Sequence, residues 1–209
     1  MDLSRALEDL AEIHSQIAKG EIYRGYQPLP VAASGVIGLA AAWLESPGLG
    51  GNPIGFVLYW TVVALVAALV GTSEIIHNYV VRDDAAARRQ TRRVIGQFLP
   101  SVLGAAIITA SFVRLSAALV PLLPGVWAIC FGLGTFASRP YLPRASTVVA
   151  VFYYAAGVVL LWNGRVETLN GWWVGATFGI GQMLAALVLY REARDSGLAV
   201  RTYDEKKES

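Results

Sequence analysis

The chain has 209 residues, 55% of them hydrophobic and 15% charged, with a formal net charge of +2. Soluble domains carry about 25% charged residues; here the charges are missing from long apolar runs, the mark of a membrane protein rather than of a soluble core. The lone cysteine, Cys130, excludes an intramolecular disulfide and a cysteine-based metal cluster within one chain, and in its apolar run it reads as a small core hydrophobe. Arginine far outnumbers lysine, and Ala, Gly and Val abound, which suits a bacterial genome.

Residues 1–27 are polar and hold no cleavable signal peptide, so the first apolar run serves as an uncleaved membrane signal. Within them, Asp2–Lys19 reads as an amphipathic helix. Leu3, Leu7, Leu10, Ile13 and Ile17 recur at helical spacing, and Arg5, Glu8, Asp9 and Glu12 lie largely off that face. Acidic residues outnumber basic ones there, so the face suits the protein's own loops or a partner helix better than anionic lipid.

The first span is Pro30–Leu44, followed by a Gly/Pro-rich turn that ends at Pro53. The second, Ile54–Thr72, has no charge along nineteen residues, close to the roughly 20 that a helix needs to cross a bilayer core. It runs into Glu74, His77 and then Arg82, Arg88, Arg89, Arg92 and Arg93. The loop 73–96 is rich in helix formers, so the second helix is expected to continue past the membrane as an arm. The third stretch, Gln97–Val120, contains Arg114 and carries Pro100 in its first turn, where proline is tolerated. The fourth begins near Pro121 or Pro124 and ends at Ala137. A short turn, Ser138–Ala145, leads to the fifth span, Ser146–Trp162, and a polar turn leads to the sixth, Gly171–Tyr190. The tail Arg191–Ser209 is charged and is expected to fray.

Six spans put both termini on one side. With that side cytoplasmic, fifteen of the seventeen Lys and Arg residues fall inside, and only Arg114 and Arg165 fall outside, as the positive-inside rule requires. Trp43, Trp162, Trp172 and Trp173 then mark the outer boundary, and Tyr23, Tyr26, Tyr79, Tyr141 and Tyr190 the inner one. The expected fold is an all-α integral membrane protein of a bacterial plasma (inner) membrane. It has six transmembrane helices, an N-terminal amphipathic cytoplasmic helix and both termini in the cytoplasm. It forms a single polytopic domain: helix and connector 1–27, bundle 28–190 with the arm 73–96, and tail 191–209.

Gly171, Gly175 and Gly179 repeat every four residues, as do Ser34, Gly38 and Ala42. Small residues at this spacing let helix backbones approach closely in lipid, within one chain or across a homo-oligomer. Thr61–Ala64 recurs as Thr147–Ala150, and Pro28–Pro30 resembles Pro121–Pro124. These are faint echoes of an inverted three-plus-three repeat.

The candidate chemistry is sparse. Glu74 and His77, at i and i+3, share one helical face and could ligate a metal if His14, Asp83 or Asp84 joined them; the plainer role is a polar cap on the second helix. Arg114 either snorkels to headgroups or serves function within the bundle, with Glu45 or Glu167 as partner on its side. Thr177 and Gln182 add neutral polar points to a transport path or polar core. The basic loop lacks interleaved aromatics, so no nucleic-acid partner is expected. No phosphate loop, nucleophile elbow or zinc motif is present, so the chain leans away from an enzyme and implies no cofactor. The leading expectation is a non-enzymatic interaction, regulatory or assembly subunit that works through its cytoplasmic layer. Its partners would be membrane lipid, a cytoplasmic protein, and a homo-oligomer or larger membrane complex. The alternatives are a small-solute transporter or channel, and a membrane metalloprotein using Glu74 and His77.

Overall fold

Prolines open three of the helices, where a missing backbone N–H costs nothing. In the computed structural model, which describes residues 27–45, 51–73, 85–165 and 169–208, the helices are α1 Pro28–Leu44, α2 Pro53–Gly71, α3 Ala85–Leu115, α4 Leu123–Ala137, α5 Ser146–Asn163 and α6 Gly171–Glu208. Pro28, Pro53 and Pro124 lie at the starts of α1, α2 and α4. Asn52 caps α2, its Oδ1 accepting from the Gly55 N–H at 3.0 Å. No strand occurs among the described residues.

Close contacts give the topology. Gly35 and Gly38 of α1 meet Gly179 and Gly175 of α6, and Ser34 meets Gly71 of α2. Phe98 of α3 lies on Gly134 of α4, and Gly125 of α4 on Gly157 of α5. Each pairing runs antiparallel, and the nearest-neighbour order is α2, α1, α6, α5, α4, α3. One end of the bundle therefore gathers the start of α3, the α4–α5 turn with Arg139 and Arg144, and the extended end of α6. We call it the basic end.

Among the described residues, five helical segments are long and apolar enough to cross a membrane: Pro53–Gly71, Arg92–Leu115, Ala117–Ala137, Ser146–Asn163 and Gly171–Asp195. α1 is equally apolar but has 17 residues, about 25 Å of helix at 1.5 Å per residue.

The third stretch gives way to the fourth over Ser116–Leu122, within a few residues of the boundary expected near Pro121 or Pro124. Ser116 turns extended and its Oγ accepts from the Ala118 N–H, starting a 3-10 turn over Ala117–Leu122 that packs inward with Val120 and Pro121 buried. α2 is described to Gly71, and the Thr72 and Ser73 hydroxyls donate back to the carbonyls of Ala68 and Val70. The part of the arm over residues 74–84 lies outside the described residues; from Ala85 the arm belongs to α3. In the tail, α6 continues as helix to Glu208. Asp2–Lys19, Glu74 and His77 lie outside the described residues.

Two apolar cores hold the bundle. Away from the basic end, Phe56, Val57 and Trp60 of α2 pack with Ala41, Ala42, Val120, Leu123, Leu169 and Val174. Nearer the basic end, Ala128, Val149, Tyr153 and Leu160 pack with Phe131, Phe152 and Phe178.

Candidate functional site

Helix approach is set by glycine. A Cβ on Gly175 would lie 2.6 Å from the Gly38 carbonyl oxygen and 3.2 Å from the Trp60 ring. One on Gly35 would lie 2.9 Å from the Gly179 oxygen. Gly175 and Gly179 thus face α1, and Gly171 faces Glu45 just beyond it. Ser34 and Gly38 divide their work: Gly38 faces α6, while Ser34 donates to the Val31 carbonyl at 2.7 Å and sits beside Gly71 of α2. A second seam, which the sequence reading missed, joins Gly125 of α4 to Gly157 of α5; a Cβ on Gly125 would come 2.8 Å from the Gly157 oxygen. Its only sequence signal is a pair of isolated glycines on different helices, without a small partner at a four-residue interval.

The end opposite the basic one carries a polar junction of three helices. Glu45 follows the last residue of α1, and its carboxylate rests against Gly171, the first residue of α6, and the Trp60 ring of α2. Glu45 Oε2 and Trp60 Nε1 are both shielded from solvent, and neither closes a hydrogen bond among the described residues. Burial raises the Glu45 carboxyl above its ordinary range; the Trp60 ring N–H and the Gly171 backbone N–H pull the other way. Next door, the Tyr59 hydroxyl donates to the Ala41 carbonyl at 2.6 Å and ties α2 to α1. The sequence showed Glu45 only as a possible partner of Arg114, and nothing local in it points to Trp60.

The centre of the bundle is aromatic. Tyr153 is fully buried, with ring centroids 4.7 Å from Phe131, 5.4 Å from Phe178 and 5.5 Å from Phe152. Its hydroxyl lies against Gly181, with Gln182 beside it, and makes no hydrogen bond among the described residues. Thr177 is buried one turn away and Gln182 is half-buried. Arg114 is not brought to them. It is exposed in the last turn of α3, outside this packed centre. The α3–α4 contact has its own polar tie, Trp127 Nε1 donating to Thr109 Oγ1 at 2.8 Å.

Two recesses lie towards the ends. One, of about 10 Å³, is walled by Pro121, Pro124, Leu160 and Trp173 among others and has room for a single water. The other, about 360 Å³ and open, lies along Leu187, Tyr190, Arg191, Arg194 and Asp195 of α6 at the basic end. Among the described residues, no group of three or more His, Cys, Asp or Glu side chains is placed to hold a metal. No protein-family model, no curated protein and no solved structure matches the chain. The fold and these contacts therefore carry the functional reading: an all-helical bundle of several apolar helices compatible with a membrane protein.

Proposed function

We propose that the chain is a six-span protein of a bacterial plasma membrane with both termini cytoplasmic. It acts as a non-enzymatic interaction or assembly subunit through its cytoplasmic layer. The observation that carries this reading is the asymmetry of the two ends. α6 continues as helix beyond Tyr190 to Glu208, about 27 Å past the apolar run at 1.5 Å per residue. α3 begins at Ala85, about 10 Å before Arg92. The opposite end has short connections, such as the one between Leu44 and Pro53. A projecting pair of charged helices is more scaffold than a short-looped bundle needs, and it offers a surface for a soluble or membrane partner. The positive-inside rule supports the orientation.

The bundle centre, filled by Tyr153, Phe131 and Phe178, favours this reading over a small-solute path through the middle. The test is affinity purification from gently solubilised membranes, comparing the full chain with one truncated after Asp195. A stoichiometric partner, or a discrete self-assembly, that depends on residues 196–209 supports the proposal. A monodisperse single chain, unchanged by truncation, sinks it. The metal reading is settled alongside: metal in the purified protein that His77→Ala removes would replace the interaction reading with a metalloprotein.

A further inference from the structure

α3 sits at one end of the helix row and packs against α4 and the 3-10 turn that follows it. Its packed face is set by Phe98, whose ring lies on Gly134 and stacks edge-on with Phe131 at 5.1 Å, and by Thr109, which receives Trp127. At 100° per residue, Arg92, Gly96, Leu103 and Ile107 fall on the side turned away from α4, with Arg93 and Pro100 flanking them. All six are exposed, Leu103 by 53% and Ile107 by 67%. Beyond its chain neighbours and the nearby backbone of its own helix, no described atom lies within 4 Å of where a Cβ on Gly96 would stand.

The Phe98–Gly134 contact also fixes the level of the arginines. Continued along the two antiparallel helices, it sets Arg93 level with Arg139 at the basic end, where the α4–α5 turn leaves the apolar region. Arg92 and Arg93 thus stand at the basic end of an apolar face that no described residue covers. Directly below them Gly96 leaves the backbone of that face bare, in open space.

We infer that this face of α3 is a binding site for an anionic phospholipid. The phosphate pairs with Arg92 and Arg93, and an acyl chain lies along the bare backbone at Gly96 and the exposed side chains of Pro100 and Leu103. Charge complementarity selects the occupant. An anionic headgroup neutralises the arginine pair. A second copy docked in parallel on the same face would set four arginines against one another, and like charges at close range are repulsive. Guanidinium is suited to phosphate because its planar fork presents paired donors.

The experiment is native mass spectrometry of the full chain, exchanged into mixed micelles holding equal phosphatidylglycerol and phosphatidylcholine. Wild type should retain phosphatidylglycerol selectively. Arg92→Gln with Arg93→Gln should weaken that retention roughly thirtyfold, at about fivefold for each basic residue near a headgroup. Gly96→Leu should weaken it with both arginines intact, because the new side chain holds the acyl chain off the bare backbone and meets no described neighbour. Arg191→Gln with Arg194→Gln, an equal charge loss on α6, should leave it unchanged. Equal loss in the two charge pairs would overturn the site in favour of diffuse attraction. Equal retention of phosphatidylcholine by wild type, or efficient crosslinking between copies through Gly96→Cys in membranes, would also overturn it, the last by giving the face to a second copy.

Discussion

Gly175→Ala should destabilise the bundle although alanine is the better helix former. The new Cβ would press on the Ala42 Cβ and stand 2.6 Å from the Gly38 carbonyl oxygen, where ordinary contact begins at 3.4 Å. The obstacle on one side is backbone, so α1 and α6 must part by about 1 Å along their shared seam. Overpacking of this kind costs about 1–3 kcal/mol. The helical gain of replacing glycine by alanine returns only about 0.5–1 kcal/mol. The net expectation is a loss of about 1–2 kcal/mol. Gly104→Ala on α3 is the control: a Cβ there meets nothing within 4 Å, so only the helical gain of up to about 1 kcal/mol remains. The assay is denaturant unfolding in micelles followed by tryptophan fluorescence, which Trp60 at the seam should report. If Gly175→Ala unfolds at the same denaturant concentration as wild type, the α1–α6 seam is not the tight backbone contact described here.

The Glu45 junction predicts a pH dependence. The folded carboxyl titrates above its ordinary value of 4.5 because burial disfavours the charge. The folded state therefore holds its proton more tightly than the unfolded chain does. Stability should fall as pH rises from about 4.5 through the raised folded value and then level off. Glu45→Gln should flatten that fall in a pH series of unfolding midpoints; an unchanged slope would place the titration elsewhere. Tyr153→Phe removes a buried hydroxyl that has no hydrogen-bond partner among the described residues. Unfolding should show no loss, and a gain of up to about 1–3 kcal/mol, whereas a clear loss would mean that the hydroxyl is bonded to Gln182. Thr109→Val strands the Trp127 ring N–H, which donates to Thr109 at 2.8 Å. A loss of about 1–3 kcal/mol is expected, and an unaffected midpoint would show that the bond contributes nothing.

Span positions were legible because apolar length and charge position are local properties. The second span, expected over Ile54–Thr72, coincides with the apolar helix Pro53–Gly71, and the fifth, expected over Ser146–Trp162, with the apolar helix Ser146–Asn163. Hydropathy does not separate an α-helix from a 3-10 turn, so the sequence leaves the boundary between the third and fourth stretches open over several residues; a 3-10 turn over Ala117–Leu122 occupies it. Helix-forming residues show where helix can continue but not which helix they extend; those from Ala85 onward lie in α3. The four-residue spacing of Gly171, Gly175 and Gly179 announced a close approach but not its partner. The Glu45 junction joins residues that stand far apart in sequence on three helices, and Tyr153 owes its burial to α4 and α6. No window of the sequence contains either arrangement.

The central claim is that partners engage the charged helical extension at the basic end. The most direct measurement is crosslinking in native membranes from single cysteines in a Cys130→Ala background. One cysteine replaces Asp195 on α6 and the other replaces Arg114 in the last turn of α3, at the opposite end. The account predicts a discrete crosslinked species from position 195 and none from position 114. No product from position 195, or equal products from both, would contradict it.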